Sequence, residues 1–104
     1  MYQGDQYSIP IYITSQGTYL DLSEISAVEI TLHNITKKYP GEVTYDSNSG
    51  AFLMPITQKE SFSMPTKKRL YAQSRILYSD GTVFGTDPVD FFVGESLSKE
   101  ELAK

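Results

Sequence analysis

The chain has 104 residues, 39% of them hydrophobic and 21% charged, which is enough for one compact domain and too few for two. It contains no cysteine and one histidine, His33, so thiolate nucleophiles, iron–sulfur clusters, the usual structural zinc sites and His-rich metal clusters are excluded, and no cofactor is expected. Nine Lys plus Arg against 13 Asp plus Glu give a net charge of −4, so no nucleic-acid partner is expected. No apolar run is long enough for a membrane-spanning helix, so no membrane partner is expected either. The opening Met-Tyr-Gln-Gly-Asp lacks the basic and apolar regions of a secretory signal, and cytoplasmic synthesis is the expectation.

Alternation with period two dominates the chain from Tyr7 onward. Tyr7, Ile9, Ile11 and Ile13 alternate with Ser8, Pro10, Tyr12 and Thr14, which predicts a first strand near Tyr7 to Thr14 with one buried face. Pro10 cannot donate to a ladder, so this strand belongs at a sheet edge or is broken there. A turn at Ser15-Gln16-Gly17 comes next, and Leu20, Leu22 and Ile25 form an apolar connection. Val28, Ile30 and Leu32 alternate with Glu29, Thr31 and His33 in a second strand, and Lys37-Lys38-Tyr39-Pro40-Gly41 reads as a turn.

Val43 to Tyr45 and Ala51 to Ile56 flank Asp46-Ser47-Asn48-Ser49-Gly50 as a hairpin. Residues 57 to 68 loosen into a polar crossover. Leu70, Ala72, Ser74, Ile76 and Tyr78 then alternate with Tyr71, Gln73, Arg75 and Leu77 in the longest strand. Asp80-Gly81 closes a hairpin onto Thr82 to Gly85, and Val89 to Val93 is the last strand. After a β-domain over residues 1–95, residues 96–104 read as a short helical or disordered tail, with Ser98 and Glu101 at capping-box spacing. The fold class is all-β: an immunoglobulin-like antiparallel β-sandwich of about seven strands with a short C-terminal helical tail, and a small barrel as the competing architecture.

Catalytic and metal chemistry find little support. Asp46, Asn48 and Gly50 begin like a calcium loop, but the sixth position is Ala51 and the twelfth Thr57, so a hairpin turn is the better reading. His33 falls on the outer face of its predicted strand, no Gly-x-Ser-x-Gly is present, and Asp87 and Asp90 flank Pro88 as solvated turn residues. The chain is therefore expected not to be an enzyme, with no catalytic or metal residue. Lys67-Lys68-Arg69 and Lys37-Lys38 read as solvated ends or edge protection. Asn34-Ile35-Thr36 matches the glycosylation tripeptide without a signal to present it.

Eight tyrosines mark the surface for recognition. Tyr71, Gln73 and Arg75 share one face of the long strand, and Tyr12 lies on the polar face of the first, so together they are a candidate adhesive surface. Leu97 and Leu102 are spaced to dock a terminal helix on a neighbour.

One further pattern runs through the chain. Gly4-Asp5-Gln6-Tyr7 precedes an alternating strand, and Leu20-Asp21-Leu22 precedes Ala27-Val28-Glu29-Ile30. Tyr71-Ala72-Gln73-Ser74-Arg75-Ile76 runs to Asp80-Gly81-Thr82-Val83, and the series ends in Phe91-Phe92-Val93-Gly94. Over residues 4 to 97 this resembles small phage and prophage structural domains of the kind found at the N-terminus of upper baseplate proteins in phages of Gram-positive bacteria. The resemblance implies an immunoglobulin-like assembly module of a tail or baseplate. Its partners would be other virion or prophage proteins, or further copies in a homo-oligomer, and its final location the virion. Baseplate proteins continue into further domains, whereas this sequence stops soon after Val93. The alternative is a monomeric carbohydrate or cell-surface binding module using Tyr71 and Arg75.

Overall fold

The computed structural model describes residues 1–15 and 18–103. The chain is mostly β and antiparallel: β1 (Tyr7–Ile11), β2 (Thr14–Ser15), β3 (Thr18–Tyr19), β4 (Ile25–Leu32), β5 (Ile35–Tyr39), β6 (Thr44–Asp46), β7 (Ala51–Ile56), α1 (Gln58–Ser63), β8 (Leu70–Tyr78), β9 (Val83–Gly85) and β10 (Val89–Phe91). A three-stranded sheet, β1-β7-β6, faces a five-stranded one, β10-β8-β4-β5, in which β9 pairs with the same side of β8 as β10; β2 and β3 form a small ribbon. The predicted turn at Ser15-Gln16-Gly17 centres on residues outside the described part of the chain.

The sheets meet face to face through the residues that period two assigned to the core. Phe52, Met54 and Ile56 of β7 pack against Val28, Ile30 and Leu32 of β4 and against Leu70 and Ile76 of β8, all buried. The Phe52 ring stands edge-on between Tyr39 of β5 and Tyr45 of β6, with centroids 5.2 and 5.1 Å apart. Such edge-to-face pairs add directional stabilisation to the area they bury. The architecture is sandwich-like.

Several expectations need correction. The predicted first strand stops at Ile11 and resumes at Thr14, leaving Tyr12 in the gap. His33 is not on a strand face: β4 ends at Leu32, which pairs with Ile35, and His33-Asn34 makes a two-residue turn with His33 at φ 56. Positive φ in a two-residue turn lets the strands twist together, and histidine tolerates it better than most non-glycine residues.

The run from Lys37 to Tyr39 is strand, not turn, since its alternation was concealed by two lysines. Lys37 pairs in register with Ile30 and therefore points inward. Its side chain is 12% exposed, and its ammonium donates to the Pro55 carbonyl at 2.6 Å and to Glu60 Oε1 at 2.8 Å. Lys37 is thus neither a solvated end nor edge protection.

Glu60 lies on α1, which the predicted crossover conceals. Thr57 caps this helix with a reciprocal box: Glu60 N donates to Thr57 Oγ1 at 3.1 Å and Thr57 N to Glu60 Oε1 at 3.0 Å. Partial burial pushes the Glu60 carboxyl up, but the hydrogen bond from Lys37, those from Thr57 and the lysine charge outweigh it and hold the group below its ordinary range.

The expected C-terminal helix is absent: residues 96–103 contain no helical segment. Leu97 and Leu102 are both exposed, so no packing offsets the cost of helix nucleation there. Ser98 and Glu101 form no box; Ser98 Oγ accepts from Glu100 N instead. Tail and N-terminal segment are tied down by polar contacts: Leu102 N donates to Gln58 Oε1 at 2.7 Å, and Lys99 Nζ to Gln3 Oε1 at 2.8 Å. Gln3 N donates to Gly94 O and Gly94 N to Met1 O, each at 2.9 Å. There the Tyr2 ring lies where a Cβ on residue 94 would sit, so only glycine fits beneath it.

Candidate functional site

The inward face of β8 reads Leu70, Ala72, Ser74, Ile76, Tyr78, large at both ends and small in the middle. Above Ala72 and Ser74 the opposing sheet has reached its edge, since β1 is its last strand. The missing side-chain volume leaves a cleft of about 400 Å³ between Pro10 to Thr14 on one wall and Thr86, Asp87 and Val89 on the other, floored by Ile30, Ala72 and Ser74. A second cleft of about 240 Å³ continues it through the shared residues Ile11, Ala72 and Val89 to Tyr7, Phe91 and Phe92. In the other direction Thr14, Thr86 and Asp87 join it to a hollow beside Tyr78 and Phe84. One groove thus follows the open flank, where β1 of one sheet faces β9 and β10 of the other.

Local sequence shapes both banks. On β1, Pro10 pairs opposite Leu53 and has no N–H to offer. On the other bank, β9 and β10 are halves of one edge interrupted by Thr86-Asp87-Pro88. Thr86 locks the interruption to β8: its N donates to Ser74 O at 2.8 Å, and its hydroxyl accepts from Ser74 N at 3.0 Å and donates to Ser74 O at 3.3 Å. Gln73 Nε2 adds a bond to Thr86 O at 2.8 Å. The Thr86 contacts tie this bank to β8, and with Pro10 on the other bank both edges are poor in free donors.

The rim is apolar. Val89 is 65% exposed although it pairs with Ala72 on the inward parity, and Phe84 is 60% exposed although it pairs with Ile76. Phe92, Tyr12 and Tyr7 are exposed beside them. The charged residues lining the first two clefts are Asp87 and Asp90; Asp90 receives Arg69 Nε at 3.1 Å, and Asp87 has no ion pair among the described residues.

The six residues singled out from sequence do not form one surface. Tyr71, Gln73 and Arg75 do share the outer face of β8, but Arg75 Nε is bonded to Glu29 Oε1 at 2.9 Å across the β4 pairing. Tyr12 lies on the groove, which it lines together with Gln73. Leu97 and Leu102 are both exposed on the terminal segment and line neither the groove nor the outer face of β8, Leu102 being bonded to Gln58. Tyr7, Phe84 and Val89 were missed because their parity matches that of core residues, and Phe92, on the opposite parity just past β10, because it reads as one more aromatic of the last strand; the available signal was the nearby Pro10 and Pro88, which interrupt the pairing.

The calcium-like segment is a turn: Asp46 Oδ1 accepts from Asn48 N and Oδ2 from Ser49 Oγ, so its carboxylate serves its own loop. Among the described residues no group of three His, Cys, Asp or Glu converges as a metal site, and no helix is long and apolar enough to cross a membrane. Comparison with known proteins finds no matching family model, curated protein or solved structure.

Proposed function

We propose that the chain is a non-enzymatic structural protein of a phage or prophage particle, an assembly module of a tail or baseplate that works by packing against neighbouring proteins. The observation that carries the reading is the open flank, where Tyr7, Tyr12, Phe84, Val89 and Phe92 are presented together beside a preformed groove. Contiguous apolar surface rimmed by polar groups is characteristic of protein contacts. The resemblance over residues 4 to 97 supplies the particle.

The proposal includes immunoglobulin-like character. Counting β9 and β10 as one interrupted edge strand gives three strand positions facing four, the division of a constant-type immunoglobulin sandwich. One strand departs from that pattern: β4, second among the seven positions, pairs with β8 and β5 rather than with β7.

The test is particle incorporation. Particles released by prophage induction of the source cells and banded on a density gradient are expected to contain the chain in fixed ratio to other particle proteins. Recovery of the chain only in the soluble fraction would contradict the reading. A monomeric carbohydrate-binding module is the second reading, favoured by Tyr12, Gln73 and Asp87 meeting at the groove, whereas Arg75 is engaged by Glu29. Saturable glycan binding by the monomer, lost in Tyr12→Ala, would select it.

A further inference from the structure

We infer that the open flank is the docking surface for a second copy of this chain, joined about a two-fold axis. The inference rests on the proposed assembly role and names the partner at that surface. Three features of the flank point to it.

The first is area. The exposed parts of Tyr7, Tyr12, Phe84, Val89 and Phe92 amount to on the order of 500 Å² of apolar surface, judged from their fractional exposures and the usual size of such side chains. That is at the upper end of what a monomer leaves in one patch. With the polar rim it approaches the roughly 800 Å² that each partner contributes to a standard interface.

The second is shape. A two-fold contact needs one patch that carries both the projection and the recess, because residue i meets j and j meets i. Here Tyr12, Val89 and Phe92 stand beside the recess that Ala72 and Ser74 leave in the β8 face, so each copy offers both.

The third is the state of the edges. An extended peptide joining as an extra strand would draw its affinity from main-chain hydrogen bonds. Pro10 removes a donor from β1, β9 and β10 are three residues each, and the Thr86 bonds to Ser74 occupy the gap between them. Side-chain packing by a folded partner suits such a flank better than strand addition. Asp87 of each copy would meet its counterpart's flank, a modest repulsion that physiological salt screens.

The test is the mass of the full chain in solution by light scattering, over a concentration series at physiological salt. It compares the wild type with Val89→Arg on the flank and Tyr71→Arg on the outer face of the same sheet. Both sites are more than half exposed, so each variant is expected to fold, which circular dichroism verifies. The wild type and Tyr71→Arg are expected to reach close to twice the 11.7 kDa chain mass. Val89→Arg is expected to raise the concentration needed at least tenfold.

A single-chain mass at every concentration, a doubled mass that Val89→Arg leaves unchanged, dissociation by Tyr71→Arg alone, or a larger closed ring would each overturn the inference. A monomeric wild type that still enters particles would overturn this inference but not the proposed function. A doubled mass with no particle incorporation would do the reverse.

Discussion

The two flanks of the sandwich are built from the same alternating pattern and end differently. On one side, β5 and α1 close the space between the sheets: the Phe52 ring is held between Tyr39 and Tyr45, and Lys37, inward by register, finds Glu60 and a carbonyl. On the other, β1 stops short of β9 and β10, and inward-parity residues such as Val89 and Phe84 look out on solvent. Parity decides which way a side chain points; whether it is buried depends on what the opposite layer brings to that place. A lysine can therefore be more enclosed than a valine three strands away in the same sheet.

The contrast is disturbed most severely at the closed side. Phe52→Ala removes a ring 1% exposed and both edge-to-face contacts, and is expected to cost about 4 kcal/mol in chemical denaturation. Next comes Glu60→Gln, which keeps an acceptor oxygen beside the Lys37 ammonium but removes its counter-charge; a loss of roughly 2 kcal/mol is expected.

That loss has a defined pH dependence. The Glu60 carboxyl is depressed in the folded chain, so its contribution is complete above the ordinary glutamate value of about 4.3 and declines as pH falls through that value towards the folded one. Urea titrations at a series of pH values should show wild type and Glu60→Gln converging as the solution is acidified. A constant gap down to strongly acid pH would show that the carboxylate charge is not what holds Lys37.

A smaller effect is expected at the end of the open flank. Gly94→Ala places a methyl group where the Tyr2 ring lies and should cost about 1 kcal/mol, with most of it regained in a Tyr2→Ala background, where nothing overlaps the methyl. The smallest is on the flank itself. Val89→Arg should change the stability of the single chain by less than about 0.5 kcal/mol, because its side chain is mostly in water. The contrast between Phe52 and Val89, both of inward parity, measures the difference between the two sides.

Much of the strand content was legible because period two survives wherever one face is buried: β4, β7 and β8 begin and end within a few residues of their expected places. What escaped did so for local reasons. β5 carries Lys37 at an inward position, and nothing in the sequence alone reveals that Glu60, 23 residues on, will meet it. The helix has a capping box, Thr57 with Glu60, but only six residues, too few to show a helical period. The tail offered similar spacing in Ser98 and Glu101 without a helix, so cap spacing alone does not discriminate.

The interaction surface was half legible. Tyr12 and Gln73 lie on the groove, but it is defined by a gap between two sheet edges, and the small pair Ala72 and Ser74 that opens it looks like any other inward alternation.

The central claim, that the open flank docks a partner while the closed flank only holds the fold together, is tested most directly by amide hydrogen exchange of the full chain at low and high protein concentration. Peptides covering residues 7–14 and 83–92 are expected to gain protection as concentration rises, with those covering 35–63 unchanged. Protection gained over 35–63, or no change anywhere while light scattering shows association, would contradict it.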